Sequence, residues 1–525
     1  MLAPMAARWD TWVGRFRPRN GVIRRLALNR LDARLSLVIM RRTKKGPARM
    51  ISRLSAAGIL AVAAIAPAFA QSAGGTPAAR LSETEARRVE TLIARALDDD
   101  TAWRLVEGLT TEIGPRLAGS AAEARARDWA VAKMKALGFK NVRVETFEMP
   151  YWARLHESAA IVAPFPQPLA VTALGGTVGT PEGGVVGEVV RFETLDALKA
   201  APSTGLEGKI VFVDEKMTRT QDGSGYGVAV AKRSGAANEA GRRGALAAII
   251  RSVGTDSHRN PHTGGMRYDE GARRVPTAAL SNPDADQLAR ALAHAKEPVK
   301  VRLDIAVEAG ETTTSGNVIG EIPGETGEII VIGGHLDSWD LGTGAIDDAA
   351  GIAITMAAAK LVGDLKGKPK RTIRVVLWGA EEPGILGAKA YAEAHKDELA
   401  RHALAAESDF GAGRIWRLQT RFGDGALGKA ALIASALKPL GVGPGDNEAS
   451  GGPDVSTLDK AGVPVIELRQ SGWDYFDLHH TPDDTLDKVD PDDLKQNVAA
   501  WAAAVYLASE LPGGFRDAPA AAVSP

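Results

Sequence analysis

From about Thr312 to Ser509, short apolar runs alternate with longer Ala- and Leu-rich ones, and acidic or imidazole side chains stand just after several of the apolar runs. Repetition of this kind commits a chain to a layered α/β architecture, because parallel neighbouring strands need helical crossovers. The pattern predicts strands over 328–333, 372–378, 403–407 and 463–468, and helices over 348–362, 387–395, 427–437 and 490–509. In open sheets of this type ligands collect beyond the carboxyl ends of the strands. His335, Glu381, Glu382 and Asp409 each follow a predicted strand, which sends them to one rim.

Upstream the texture differs. Residues 81–140 read as helices: Ser82 and Glu85 stand at capping-box spacing, and Ala-rich helix formers run from 121 to 137 before Gly138. Between them, 114–120 (GPRLAGS) is a turn-rich connection. From about 151 to 307 short β-like runs, such as 187–192 and 209–213, alternate with Gly/Pro turns. A helix is expected over 234–244 and a strand over 245–250. His156, His258, His262 and His294 fall here in no ligand spacing and are expected in surface or structural roles.

The formal charge of zero hides an asymmetry. Residues 1–53 hold fourteen Lys or Arg and two Asp, a net of +12, so the remainder is net −12. An acidic body argues against a nucleic-acid partner. The basic segment leads into LSAAGILAVAAIAPAFA, ending at Ala70. A basic flank, an apolar run of about fifteen residues and a small-residue ending read as an export signal cleaved before Gln71. Pro67 and the short apolar length disfavour a membrane anchor, so no stable span is expected after cleavage. Translation is expected to begin near Met40 or Met50, with residues 1–49 an extended leader or a start-site artefact. The chain has no cysteine, which excludes thiolate-held metal, thiol nucleophiles and disulfides together.

What remains for chemistry is imidazole and carboxylate, the ligands of a hydrolytic zinc pair. His335 leaves its strand through Gly333-Gly334, and Asp337, two residues on, is placed to accept its other ring N–H. Asp347-Asp348 opens a helix, where paired acids also arise simply to complement the helix dipole. Two adjacent glutamates, Glu381 and Glu382, directly after an apolar strand are ill-placed for a solvated charge run. One suits metal binding and the other proton transfer from a metal-activated water. Asp409 and one of His479 or His480 complete five ligands, enough for two metals sharing a bridging carboxylate.

The segments HLDSWD, GAIDDAAG, LWGAEEPGILGA, ESDFG and HHTPDDT, in that order, resemble the co-catalytic di-zinc exopeptidases, and most closely the plasma glutamate carboxypeptidase branch. The similarity spans roughly residues 105–510 and includes GPRLAGS. It implies two Zn2+ per chain, one held by His335 and Asp409, the other by Glu382 and His480, with Asp347 bridging. It implies Glu381 as general base, His480 rather than His479 as ligand, and a cis peptide at Asp347-Asp348. It also implies a mixed, mostly parallel sheet flanked by helices, with an inserted β-rich protease-associated domain acting as a lid or partner surface. The expected organisation is therefore a signal peptide over 50–70, a linker over 71–80, the first part of the peptidase domain over 81–150, the insert over 151–310, the catalytic domain over 311–510 and a disordered tail over 511–525.

The expected activity is that of a periplasmic or secreted exopeptidase acting on dipeptides or short peptides, and the resemblance extends to a homodimer. An aminopeptidase would use the same centre. A one-zinc acyltransferase of the glutaminyl-cyclase type and a non-catalytic receptor-like module share the fold, but each departs from a complete set of five ligands and a base.

Overall fold

The computed structural model describes residues 80–517. The expected leader and signal peptide, most of the linker and the last eight residues lie outside that range.

The first helix, Glu83–Asp98, begins at the anticipated capping box: the Ser82 hydroxyl accepts the Glu85 N–H at 3.2 Å, and the Glu85 carboxylate accepts the Ser82 N–H at 2.8 Å. Its apolar face (Val89, Leu92, Ala96) packs against the closing helix Pro491–Glu510. That pair, with Thr101–Gly108 and Ala350–Gly363, covers one face of a sheet centred on Ile329–His335. The central strand is buried throughout and runs parallel to Thr372–Trp378 on one side and His402–Glu407 on the other. Burial on both faces explains why these strands read as unbroken apolar runs. Alternation then sorts their side chains: Ile330 and Ile332 join the helical core, whereas Ile329 and Val331 meet Ala388 and Tyr391 of the helix Leu386–Ala394 on the other face.

Beyond His402–Glu407 lies Val465–Gln470 in parallel, then Ile415–Arg421 antiparallel to it. The latter strand was not anticipated, because half of IWRLQTR is polar. On the opposite side Thr372–Trp378 pairs antiparallel with a 23-residue strand, Lys300–Ile322. This strand runs alongside the 24-residue Lys140–Ala163 over almost its whole length, with four register shifts. The chain from 164 to 299 is inserted between these two strands. Its strands Val185–Phe192, Lys209–Val213, Ala247–Arg251 and Thr277–Leu280 form a second parallel set. The helix Lys232–Arg242 covers one side of that set and Asn282–His294 the other. Val185–Phe192 pairs with Lys300–Ile322, so one long strand borders both sets.

The architecture is the expected mixed, mostly parallel sheet flanked by helices. One expectation needs correction. The tail does not start at 511: Leu511 and Phe515 are buried, and the Arg371 guanidinium donates to the carbonyls of Leu511 and Gly513 at 2.7 and 2.8 Å. Among the described residues no helix is long and apolar enough to cross a membrane.

Candidate metal centre

His335 is the last residue of the central strand. A Cβ on Gly334 would lie 2.3 Å from an Asp348 carboxylate oxygen, so only glycine lets the strand press this close to the turn that carries Asp347. That turn, Ala345–Ala349, leads into the helix Ala350–Gly363 through a cis Asp347–Asp348 peptide. Glu381 and Glu382 follow Thr372–Trp378, and Asp409 follows His402–Glu407. His480 arrives from a loop after the short helix Tyr475–Leu478. All six converge at one rim.

Asp347 is the hub. Its Oδ1 lies 2.9 Å from His335 Nε2, and His335 Nε2 is 3.4 Å from Asp409 Oδ1. Its Oδ2 lies 3.2 Å from His480 Nε2, which in turn is 3.0 Å from Glu382 Oε2. The side chains thus form two groups sharing one carboxylate. His479 stacks face to face on His480 at 3.4 Å, but its Nε2 stands further from Asp347, at 3.7 Å.

The electrostatics are those of a site short of positive charge. Burial pushes the His335 imidazolium down, yet Asp409, Asp337 and Asp347 outweigh it and hold the ring well above its ordinary value. Burial raises Asp347 too, but the His335 and His480 imidazoles beside it hold it well below the usual carboxylate range. Glu381 has no such partner. Burial first, then Asp409, Glu382 and Asp337, hold it well above that range against the pull of His335. Asp347 Oδ2 and Glu382 Oε1 are buried without a hydrogen-bond donor. Nitrogen and carboxylate ligands without sulfur, with unsatisfied oxygens facing inwards, fit a pair of divalent cations of the zinc kind.

Supporting groups fix the ligands. His335 Nδ1–H donates to the backbone carbonyl of Asp337 at 3.0 Å, which leaves Nε2 free to face the centre. Asp337 thus accepts the other ring N–H as expected, through its backbone carbonyl; its carboxylate Oδ1 stands 3.8 Å from that nitrogen. The carboxylate instead accepts the backbone N–H groups of Glu381 and Glu382, at 3.0 and 3.2 Å. Asp348 both caps and orients, accepting from Gly351 N–H and His335 N–H at 3.0 Å each. Asp484 accepts the N–H groups of Ile346 and Asp347, at 2.6 and 3.3 Å. Behind them Arg116, fully buried, donates to the carbonyls of Leu336, Thr343 and Gly344.

The centre opens into a cleft of about 840 Å³. Phe410, Leu468, Tyr475 and Phe476 form its apolar wall, and Ser450, Gly452 and Pro453 lie on its rim. Three features here escaped the sequence reading. Glu407, pushed up to about 8 by burial and Asp409, lines the cleft beside Asp409. Tyr226 and Arg233 reach the cleft from the inserted segment, where no spacing pointed to them. His262, by contrast, has the structural role expected of it: buried, it bonds the His479 carbonyl at 2.7 Å and Asp256 at 2.8 Å.

Residues 317–505 match peptidase family M28. Carboxypeptidase Q of Mus musculus is 35% identical over 77% of this chain and 84% of its own length. The crystal structure of a peptidase M28 precursor from Shewanella amazonensis is 49% identical with a TM-score of 0.81, covering 83% of this chain and 99% of that one. An aminopeptidase structure from Aneurinibacillus is 25% identical with a TM-score of 0.55, over 82% of this chain and 98% of its own.

Proposed function

The chain belongs to peptidase family M28, and from that membership we propose that it is an exported zinc exopeptidase of the carboxypeptidase or dipeptidase kind, hydrolysing dipeptides or short peptides. One observation carries the reading. The two oxygens of Asp347 face separate imidazoles, His335 at 2.9 Å and His480 at 3.2 Å, as a carboxylate shared between two metals must.

In this reading His335 and Asp409 would hold one zinc and Glu382 and His480 the other, with Asp347 shared between them. Zinc held there would supply Lewis acidity to the scissile carbonyl and to a water near neutral pH. Glu381 acts as base: it takes a proton from the attacking water and passes it to the leaving amine as the C–N bond breaks. The hydroxyl stays on the acyl product and the proton leaves on the amine, so the reaction balances as hydrolysis. The protease-associated insert expected over 151–310 would in this reading be the segment 164–299, between the two long strands, from which Tyr226 and Arg233 reach the cleft.

The test is metal content together with turnover on a dipeptide panel that includes amino- and carboxyl-blocked controls. About two zinc per chain and cleavage of free dipeptides are expected. A zinc-reconstituted protein that hydrolyses no short peptide would overturn the reading, and cleavage confined to substrates with a free amino end and a blocked carboxyl end would make it an aminopeptidase.

A further inference from the structure

We propose that the inserted segment completes the metal centre: His262 and Thr263 position His480, so that one of the two zinc positions depends on the inserted segment and the other does not. This deepens the exopeptidase reading and rests on it.

The two imidazoles that face Asp347 are oriented in different ways. His335 donates from Nδ1 to the carbonyl of Asp337, two residues further along its own loop. The Nδ1 of His480 instead lies 3.3 Å from the carbonyl of Thr263, 217 residues away in the inserted segment. An imidazole whose Nε2 lone pair serves a cation carries its proton on Nδ1, and a backbone carbonyl is a usual acceptor for it. Thr263 also closes the pair from the other side, its N–H donating to the His480 carbonyl at 3.1 Å. His262 acts one residue earlier on both chains. Its Nδ1–H donates to the His479 carbonyl at 2.7 Å, and its Nε2 stands 2.8 Å from Asp256 Oδ1.

The grip matters because of the backbone it acts on. His480 has a φ of +63°, a left-handed conformation that residues with a side chain rarely adopt and that the surroundings must hold. No strand fixes it: it sits in a loop behind a helix of only four residues, Tyr475–Leu478. The inserted segment supplies the restraint. The Thr255 N–H donates to the Phe476 carbonyl at 3.0 Å and the Thr255 hydroxyl to Asp477 at 2.8 Å. Arg219 holds both oxygens of Asp477, at 2.6 and 2.8 Å. Residues 262 and 263 are fixed in turn. The Ser252 hydroxyl accepts the His262 N–H at 2.8 Å, and the Thr263 hydroxyl donates to the Ala173 carbonyl at 2.9 Å.

The other position is built differently. His335 and Asp409 follow strands of the catalytic sheet, and the His335 backbone N–H is held by Asp348 from the same half. Loosening the inserted segment therefore withdraws His480 from Asp347 and Glu382 and leaves His335 and Asp409 where they are. His262 and Arg219 act through the loop, as positioning residues.

The experiment titrates zinc into the metal-free protein by calorimetry, with dipeptide hydrolysis and the urea midpoint measured alongside. His262→Asn places an amide N–H where Nδ1 stood. His262→Gln places it where Nε2 stood and leaves the His479 carbonyl without its donor. The wild type is expected to bind two zinc ions. His262→Gln is expected to bind the first within about threefold of the wild type and the second about 10- to 100-fold more weakly, with His262→Asn recovering most of that loss. Arg219→Met, at a part-exposed side chain, is expected to weaken the second ion in the same direction by a smaller factor. A merely structural role would lower both affinities and the urea midpoint together, so a loss shared equally by the two ions overturns the proposal. So does a His262→Gln protein that binds both ions as the wild type does. Should His262→Gln fail to fold, Arg219→Met decides the matter, and wild-type affinity for both ions overturns the proposal there too. A wild type that holds two zinc ions but hydrolyses no short peptide overturns the exopeptidase reading and leaves this one standing; a wild type that binds no second ion overturns both.

Discussion

The Asp337 carboxylate accepts the backbone N–H of Glu381 at 3.0 Å and so fixes the peptide from which the proposed base projects. Asp337→Ala leaves that N–H and its neighbour on Glu382 without a buried acceptor. Activity is expected to fall about 10- to 100-fold, as for other groups that orient metal ligands. Steady-state kinetics beside zinc analysis checks this; full activity would show that the strand end holds the glutamates unaided.

Removing the base and removing the bridge should separate cleanly. Glu381→Gln is expected to retain zinc and lose about 10²- to 10⁴-fold in kcat. Asp347→Asn is expected to lose metal as well, since that carboxylate faces both imidazoles. An active Glu381→Gln protein would sink the assignment of the base.

Arg116 ties three carbonyls of the loop 336–344 to the turn before the helix Ala121–Ala136. Arg116→Met strands those acceptors beneath the turn that carries Asp347. A loss of roughly 3–5 kcal/mol in unfolding free energy is expected, read as a lower urea midpoint. Arg116→Lys should recover little, because an ammonium cannot span the same acceptors.

His402 supplies a pH dependence remote from the metals. Burial holds its imidazole neutral, with its value pushed down to about 4. Its Nδ1–H donates to the Glu398 carbonyl at 3.0 Å, and its Nε2 accepts from Tyr391 at 2.9 Å. In the unfolded chain the ring gains a proton near 6.5. The stability it contributes is therefore complete above pH 6.5 and lost as pH falls from there through 4, up to about 3 kcal/mol. Urea unfolding at pH 7 and 4.5 should show a smaller loss for His402→Gln than for the wild type; equal losses would contradict this.

Most of the catalytic half is legible in the sequence because its strands are buried on both faces. Ile329–His335 and Thr372–Trp378 have no polar alternation to disguise them, and the acids and imidazoles after them stand out against apolar surroundings. The paired strands Lys140–Ala163 and Lys300–Ile322 are not legible. Their partners lie far apart in the chain, and Pro150, Gly310 and register shifts break their period. Arg233 is hidden for a related reason: a single arginine in an Ala- and Gly-rich helix carries no signal until the fold lays it against His480. Spacing placed Asp337 correctly as the acceptor for His335, but does not tell its carbonyl from its carboxylate.

The packing of Glu83–Asp98 against Pro491–Glu510 bears on how the protein is made. Synthesis delivers the first of these helices early and the second near the end, with His480 emerging only shortly before it. A chain that has not yet reached residue 480 has neither its closing helix nor the second of the two imidazoles that face Asp347. The six side chains around Asp347 can therefore come together only after the segment 480–510 has been made.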